Sequence, residues 1–311
     1  MNDYGNPDVL QEQTVSMPKI NEDQVLIEMY ATSINPVDSN IRAGTVKEAF
    51  PVQQFPHILG MDVAGVVKEV GANVLGLNRG DRVYGLGATG SYAAYVAAPS
   101  TMLAKLSPDT PFHIAGALPV VALTAWHSLF QYGRLQPGER CLIHAGAGGV
   151  GHLAIQMAKL AGAYVITTAS ASNHDMVKEL GADEVIDYRN ADFSKIVNEV
   201  DLLLDAVVGA DQEKNFKVLR NGGRVVSIVT PDIADIAQDY QVNAQFVLVQ
   251  PARNELEEIE AWVRASKLKV HIDRILPFEE AALIEAHHMI ETKHTRGKLV
   301  VQVKNEHMFS R

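Results

Sequence analysis

The sequence predicts an α/β chain built on a doubly wound parallel sheet, with a β-rich domain ahead of it. Three observations carry this. Residues 141–151 read Cys-Leu-Ile-His-Ala-Gly-Ala-Gly-Gly-Val-Gly, an apolar run that opens into a glycine turn. From Arg140 to Thr230 short apolar runs alternate with helical patterns, the rhythm of a parallel sheet covered on both faces. Over roughly the first 110 residues, short strand-like runs are separated by turns, as in a small β-rich domain.

Taken in order, Gln24 to Ala31 alternates as a strand, and Ser33 to Phe55, with Pro36, Gly44 and Pro51, reads as a loop. Val63 to Val70 and Arg82 to Gly85 are strands, with the turn Asn78-Arg79-Gly80-Asp81 before the second. Gly85, Gly87 and Gly90 mark a mobile loop ahead of the strand Tyr92 to Val96. Residues 112–132 carry a largely apolar helical segment interrupted at Pro119. Strands follow at 140–145, 163–168, 184–187, 201–207 and 223–229, with helices at 149–161, 173–180, 191–199 and 212–220. Asn243 to Val249 is a sixth strand, 253–266 and 278–292 are helices, and 298–303 closes the chain as a strand.

The glycine turn is the candidate functional site. Gly146-x-Gly148-x-x-Gly151 follows a strand, and Val150, Leu153, Ala154, Met157, Ala158 and Ala161 repeat on one helix face after it. Strand, glycine turn and helix together form the context a dinucleotide-binding Rossmann unit requires. The first glycine permits the tight turn, the second lets backbone approach a pyrophosphate, and the third lets helix and strand pack closely. The helix N-terminus then offers unpaired N–H groups to the phosphates. Gly146, Gly148, Gly149, Val150 and Gly151 are therefore expected at the cofactor.

The second strand of this unit ends in Thr168-Ala169-Ser170-Ala171-Ser172, without the carboxylate that would bind a ribose 2′-hydroxyl. Small hydroxyl residues leave room for a 2′-phosphate, so NADP(H) is favoured, with Thr168, Ala169, Ser170 and Ser172 lining its site. No basic residue follows at once. Tyr188, Arg189 and Arg296 are candidates to come in from other loops. Gly209, Val229 and Phe246 follow the fourth, fifth and sixth strands, where parallel sheets meet their ligands.

Composition narrows the class. The 311 residues are 47% hydrophobic and 21% charged, with a formal net charge of −10. That acidity argues against a nucleic-acid or anionic-membrane surface. No apolar run reaches the ~20 residues of a membrane span. Residues 1–5 have neither the basic nor the apolar region of a signal peptide, and a cytoplasmic protein is expected. Cys141 is the single cysteine, which leaves no intramolecular disulfide and no cysteine-based zinc site. His57, His144, His152, His287 and His288 form no metal-spaced cluster, and no metal site is expected.

The order of these parts resembles the medium-chain dehydrogenase/reductases, and within them the zinc-independent quinone oxidoreductase branch. The matching stretches are Ser33 to Asp38 with Arg42-x-Gly44, Gly60 to Val67, Gly80 to Gly85, Leu123 to Trp126, Ala145 to Gly151, Gly181 to Tyr188 and Arg296 to Val301. Zinc-dependent members carry Gly-His-Glu where this chain has Gly60-Met61-Asp62, and a metal-binding Cys near Asn35. The resemblance implies a GroES-like catalytic domain over 1–115, a Rossmann NADP(H) domain over 116–250 and a return to the catalytic domain over 251–311. It also implies a first sheet short of one edge pairing, because members usually carry a strand ahead of the Tyr4-Gly5 region.

What it implies for chemistry is a metal-free, NADPH-dependent reduction of a quinone or α,β-unsaturated carbonyl bound between domains. Such acceptors take hydride directly, since the charge delocalises onto oxygen. Proximity and dipoles aimed at the forming oxyanion suffice. By the same resemblance Asn35 stands near the nicotinamide or acceptor oxygen, Thr124 against the cofactor, Tyr188 at the adenosine or 2′-phosphate, and Lys298 beside Arg296 at the cofactor. A capping role for Asn35 before Pro36 stays open, as does a structural role for Asp38. Tyr84 and Tyr92 are candidates to line the acceptor pocket or donate a proton. Two alternatives remain: a 2-alkenal or enoyl-thioester reductase, and a non-catalytic NADPH-binding sensor. A homodimer is expected through the edge strand at 243–249.

Overall fold

A computed structural model describes residues 1–87 and 90–306, so residues 88 and 89 of the predicted glycine loop lie outside the described residues. The chain divides into two units, Met1–Val120 with Pro251–Arg264 and Val270–Arg311, and Val121–Gln250 with Ala265–Lys269.

The first unit opens with β1 (Gln24–Ile34), α1 (Pro36–Ala43), β2 (Asp62–Val70), β3 (Arg82–Leu86), β4 (Tyr95–Pro99), β5 (Leu103–Lys105) and α2 (Phe112–Gly116). The sheet is largely antiparallel, with β1 paired to both β2 and β4. Its interior is a cluster of Val25, Ile27, Met29, Val63, Val67, Val83, Val96 and Leu103, all buried. Alternation along β1 and β2 is muted because both faces of these strands are covered. Tyr92 lies ahead of β4 rather than in it, its N–H bonded to the Leu59 carbonyl at 2.9 Å.

The expected loop at 33–55 contains helix α1. Its start signals are local: Pro36 presets the first helical φ, Asn35 caps in extended geometry, and Asp38 at the third position accepts the Asn35 N–H at 2.9 Å. Gly44, at φ +73°, ends it in the left-handed conformation.

The helix α3 (Pro119–Trp126) leads into the second unit and continues as a widened π turn over His127–Tyr132. There follow β6 (Arg140–Ile143), α4 (Gly151–Leu160), β7 (Tyr164–Ala169), α5 (His174–Glu179), β8 (Glu184–Asp187), β9 (Val200–Asp205), α6 (Gln212–Lys217), β10 (Leu219–Ser227), α7 (Ile233–Ile236) and β11 (Asn243–Phe246). The sheet order is β11-β10-β9-β6-β7-β8, all parallel. Successive strands run outward from β6 on one side and from β9 on the other. The reversal between β6 and β9 is the topological switch point, where such sheets bind ligands. The helix expected at 191–199 is reduced to a 3-10 turn at Phe193–Lys195, because the Asp192 carboxylate caps the Ser194 N–H locally. Helix α4 is buried on almost every side, with Lys159 and Leu160 escaping at its end.

After β11 come α8 (Arg253–Arg264), β12 (Ile272–Pro277), α9 (Glu280–Glu291) and β13 (Lys298–Gln302). Strand β13 pairs antiparallel with β1 and parallel with β12, so these late residues complete the first unit's sheet. Helix α8 is tied to that unit by side chains: Arg253 donates to the Leu103 carbonyl at 2.7 Å, and Thr110 to Glu260 at 2.9 Å. The intervening residues 265–269 join the second unit, where Gln156 of α4 clamps both the N–H and the carbonyl of Lys269.

Candidate active site

In the second unit the glycine turn stands at the carboxyl end of β6, beside the switch point. The three glycines of its Gly-x-Gly-x-x-Gly spacing are there for two physical reasons. A Cβ on Gly146 would lie 2.1 Å from the Thr167 hydroxyl oxygen, and one on Gly151 2.2 Å from the Ala145 carbonyl. Both are required by the protein's own packing. A Cβ on Gly148 would meet only the Ala145 carbonyl, at 3.2 Å. Glycine at 148 therefore leaves an open cradle facing outward, and Gly148, Gly149 and Val150 are the half-exposed members of the turn. That cradle, with α4 starting behind it, fits a pyrophosphate.

Strand β7 ends at buried Ala169, buried Ser170 follows it, and residues 169–173 carry no carboxylate. The Ser170 hydroxyl is tied to Asn173 Nδ2 at 3.1 Å and lies 3.2 Å from the Ser172 hydroxyl, which is exposed. Strand β8 pairs with β7 and ends at Asp187, opposite Ala169. The Asp187 carboxylate is occupied by the Arg189 N–H and by Asn190 Nδ2 at 2.6 Å. Tyr188 is 50% exposed, and the Arg189 guanidinium lies 5.8 Å from its ring centre. Ser172, Tyr188 and Arg189 thus share one exposed corner of the sheet. Gly209, Val229 and Phe246 also lie at the carboxyl side of the sheet, at or beyond the ends of β9, β10 and β11. Gly209 is exposed at φ +76°. Thr124 is buried within α3.

Thr168 has a different task from the one expected. It is 3% exposed, and its hydroxyl lies 3.1 Å from His144 Nδ1 and accepts the Ala145 N–H at 3.2 Å. It faces inward beneath the turn, not outward to a 2′-phosphate.

In the first unit the predicted residues Asn35, Tyr92 and Lys298 meet in a buried polar cluster with Asp38 and Asp62. Asn35 is fully buried; its amide nitrogen donates to Asp62 at 2.7 Å and its amide oxygen accepts from the Lys298 ammonium at 2.6 Å. Lysine can only donate, so the orientation of this amide is determined. Lys298 also donates to the Ile34 carbonyl at 3.0 Å and stands 3.8 Å from Asp62. Its ammonium is consumed inside the unit, which removes it from the expected cofactor contacts; burial pulls its pKa down, opposed by Asp62 and Asp38. Arg296, two residues earlier, is half-buried at the approach to β13.

Asp62, which sequence reasoning noted only where a zinc motif is altered, is the centre of the cluster. One oxygen takes Asn35 and the Ser33 hydroxyl, and the other takes the Val120 N–H at 2.8 Å. Asp38 accepts the Asn35 N–H and, at 3.1 Å, the Tyr92 hydroxyl. Its burial, reinforced by Asp62, pushes its pKa up to about 7 against the pull of its hydrogen bonds and of Lys298. Tyr92 stays protonated, since burial and Asp38 both raise its pKa. Tyr84 is corrected outright: the ring is fully buried and its hydroxyl donates to the Leu256 carbonyl of α8, so it holds a helix and has no proton to give an acceptor.

The zinc position does not suit a metal. Met61 offers a soft thioether, and both oxygens of Asp62 are engaged by protein donors. Cys141 lies buried inside β6 of the other unit. Among the described residues no group of three or more His, Cys, Asp or Glu is placed to hold an ion.

Residues 21–108 match the family model of the alcohol dehydrogenase GroES-like domain, and residues 180–301 that of a zinc-binding dehydrogenase. A NADPH-dependent alkenal/one oxidoreductase, chloroplastic, of Arabidopsis thaliana is 35% identical over 96% of this chain and 77% of its own length. The chain belongs to the medium-chain dehydrogenase/reductase family. Within this family its fold is that of the quinone oxidoreductases. The quinone oxidoreductase of Coxiella burnetii superposes with a TM-score of 0.91 at 36% identity, covering 97% of this chain and 98% of that one. The Escherichia coli quinone oxidoreductase, solved with NADPH, superposes with a TM-score of 0.88 at 28% identity over the same shares. The expectation of a cytoplasmic protein is corrected by the family's relatives. They include a chloroplastic quinone-oxidoreductase homolog of Spinacia oleracea and a mitochondrial NAD(P)H oxidoreductase of Mus musculus, each 31% identical over 96% of this chain. The look of residues 1–5 does not decide a compartment. Among the described residues no helix is long and apolar enough to cross a membrane.

Proposed function

We propose that this protein is an NADPH-dependent oxidoreductase that reduces quinones or α,β-unsaturated carbonyls without a metal. The observation that carries the reading is the outward cradle at Gly148, at the carboxyl end of β6 and beside the switch point. Gly148, Gly149 and Val150 hold the pyrophosphate. Ser172 and Tyr188 face the 2′-phosphate, with Arg189 beside them supplying positive charge. Gly209, Val229 and Phe246 border the dinucleotide along the strand ends, and Thr124 of the same unit completes its contacts. The bound dinucleotide supplies a hydride.

The chain's own contribution is orientation and a donor for developing negative charge. The Asn35 amide carries two N–H groups, and Asp62 takes one. The family resemblance assigns the other to the acceptor oxygen, although Asn35 is fully buried in this structure. Lys298 on the amide oxygen polarises that N–H and fixes its direction. The Tyr92–Asp38 pair holds a proton in the same cluster.

The test is NADPH oxidation followed by absorbance with 9,10-phenanthrenequinone, a simple enal and an acyl thioester, with NADH in parallel. Turnover with the quinone or the enal, and preference for NADPH, is expected. Preference for NADH defeats the cofactor assignment. Turnover confined to the thioester favours the enoyl-thioester reading. Tight NADPH binding with no oxidation by any acceptor favours a sensor.

A homodimer is part of the same reading. Strand β11 ends the parallel sheet, and its outer hydrogen-bonding edge suits pairing with a second copy. Size-exclusion light scattering that finds only monomer rules it out.

A further inference from the structure

Below the glycine turn runs a buried line of polar side chains that no step of the proposed reaction uses. Asp205 ends β9 fully buried, and its carboxylate accepts from Gln212 Nε2 at 3.0 Å and from Ser227 at 2.8 Å. The Gln212 amide oxygen accepts from Asn215 Nδ2 at 2.9 Å. The Asn215 amide oxygen lies 2.9 Å from His144 Nε2. His144 Nδ1 lies 3.1 Å from the Thr168 hydroxyl, which accepts the Ala145 N–H at 3.2 Å.

Every direction in this line is determined by its ends. A carboxylate accepts, so the Gln212 amide nitrogen faces it; the Gln212 oxygen then faces Asn215, whose oxygen faces His144. Nε2 must carry the histidine proton. Nδ1 is therefore an acceptor, and the Thr168 hydroxyl donates to it. That leaves the Thr168 oxygen lone pairs for the backbone N–H of Ala145. Burial keeps His144 neutral, in keeping with this single tautomer.

The end of the line meets a strained residue. Ala145 has φ +53°, the left-handed region that a residue with a Cβ avoids. It also supplies the carbonyl that the Gly148 N–H bonds at 2.9 Å. The conformation of Ala145 thus sets where Gly148 stands.

We propose that the chain Asp205–Gln212–Asn215–His144–Thr168 positions the glycine turn for its dinucleotide by holding Ala145 in the left-handed conformation. Thr168 and His144 are positioning residues, not contacts of the 2′-phosphate. The inference rests on the reading of the turn as the NADPH site.

The test is isothermal titration of NADPH and of NADH into wild type, Thr168→Val, Thr168→Ser and Asn215→Leu, and into Thr168→Val combined with Ala145→Gly. Thr168→Val is expected to weaken both dinucleotides by the same factor, roughly tenfold. Thr168→Ser, which keeps the hydroxyl, retains wild-type affinity. Asn215→Leu, in the middle of the line, weakens both in the same direction and serves if Thr168→Val does not fold. Ala145→Gly restores affinity in the Thr168→Val background, since glycine adopts the left-handed region without help. A loss confined to NADPH makes Thr168 a 2′-phosphate ligand and overturns the inference, as does the absence of rescue by Ala145→Gly. Wild type that binds while Thr168→Val and Asn215→Leu bind equally well defeats the inference alone. Wild type that binds neither dinucleotide defeats the reading beneath it.

Discussion

The Lys298 ammonium and the Asn35 amide oxygen lie 2.6 Å apart in an interior that excludes water from both side chains. The same ammonium is 3.8 Å from Asp62, whose carboxylate holds the other end of Asn35. Removing one member of a buried charge pair strands the other. Lys298→Met is expected to destabilise the protein by about 3 kcal/mol. Urea unfolding followed by circular dichroism measures this, and an unchanged midpoint contradicts the arrangement.

The glycine turn separates stability from affinity. Gly146→Ala and Gly151→Ala drive a Cβ against Thr167 and the Ala145 carbonyl, and are expected to cost about 2 kcal/mol of stability or more. Gly148→Ala meets one atom at 3.2 Å, so its melting temperature changes little. The added methyl fills the pyrophosphate cradle, however, and NADPH binding weakens roughly tenfold. Thermal melts and NADPH titrations on the three variants check the split.

The two tyrosines divide in the same way. Tyr84→Phe leaves the buried Leu256 carbonyl without its donor, and a loss of about 1–2 kcal/mol is expected with kcat unchanged. Tyr92→Phe removes the hydroxyl from Asp38, a carboxyl poised at about 7. Losing that donor raises the Asp38 pKa further, so the pH profile of kcat moves upward. A Tyr84→Phe variant with collapsed kcat and normal stability would return Tyr84 to the catalytic candidates.

His287 makes stability depend on pH with a definite sign. It is buried, its Nδ1 lies 3.3 Å from the Ser39 hydroxyl, and its ring stands perpendicular to that of Tyr92 with the ring centres 5.9 Å apart. Burial, with Arg42 and His288 nearby, pulls its pKa down to about 3 from the usual 6.5. The folded state therefore binds fewer protons than the unfolded state between these values. The stabilisation is present above 6.5 and is lost as pH falls toward 3. Asp38 acts oppositely, favouring the fold below about 4 and losing that contribution as pH rises through about 7. The difference in melting temperature between wild type and His287→Asn isolates the histidine. It is expected to shrink from pH 7 to pH 4, and a constant difference refutes the assignment.

The local signals for α1 were all in the sequence: Asn35 before Pro36, Asp38 three residues on, Gly44 at the end. Reading Pro36 and Gly44 as loop punctuation concealed the helix, although proline at a first turn and glycine past a last turn mark its two ends. Asp62 illustrates the opposite case. Its central place depends on Ser33, Asn35, Val120 and Lys298, which only folding assembles. Tyr84 and Thr168 carried hydroxyls at plausible positions, and nothing local to either discloses that its partner is the Leu256 carbonyl or His144.

By itself, the sequence determined the parallel sheet, the glycine turn between a strand and a helix, the missing carboxylate after β7 and the unsuitable zinc ligands. Each of these is written in contiguous residues, as periodicity, glycine spacing or the identity of a side chain. Only the tertiary structure decided which polar groups face inward and are consumed there: Lys298 on Asn35, Tyr84 on α8, Thr168 beneath Ala145. Buried hydrogen bonds join residues far apart in the chain, and their partners follow from how strands and helices pack, which no local pattern encodes.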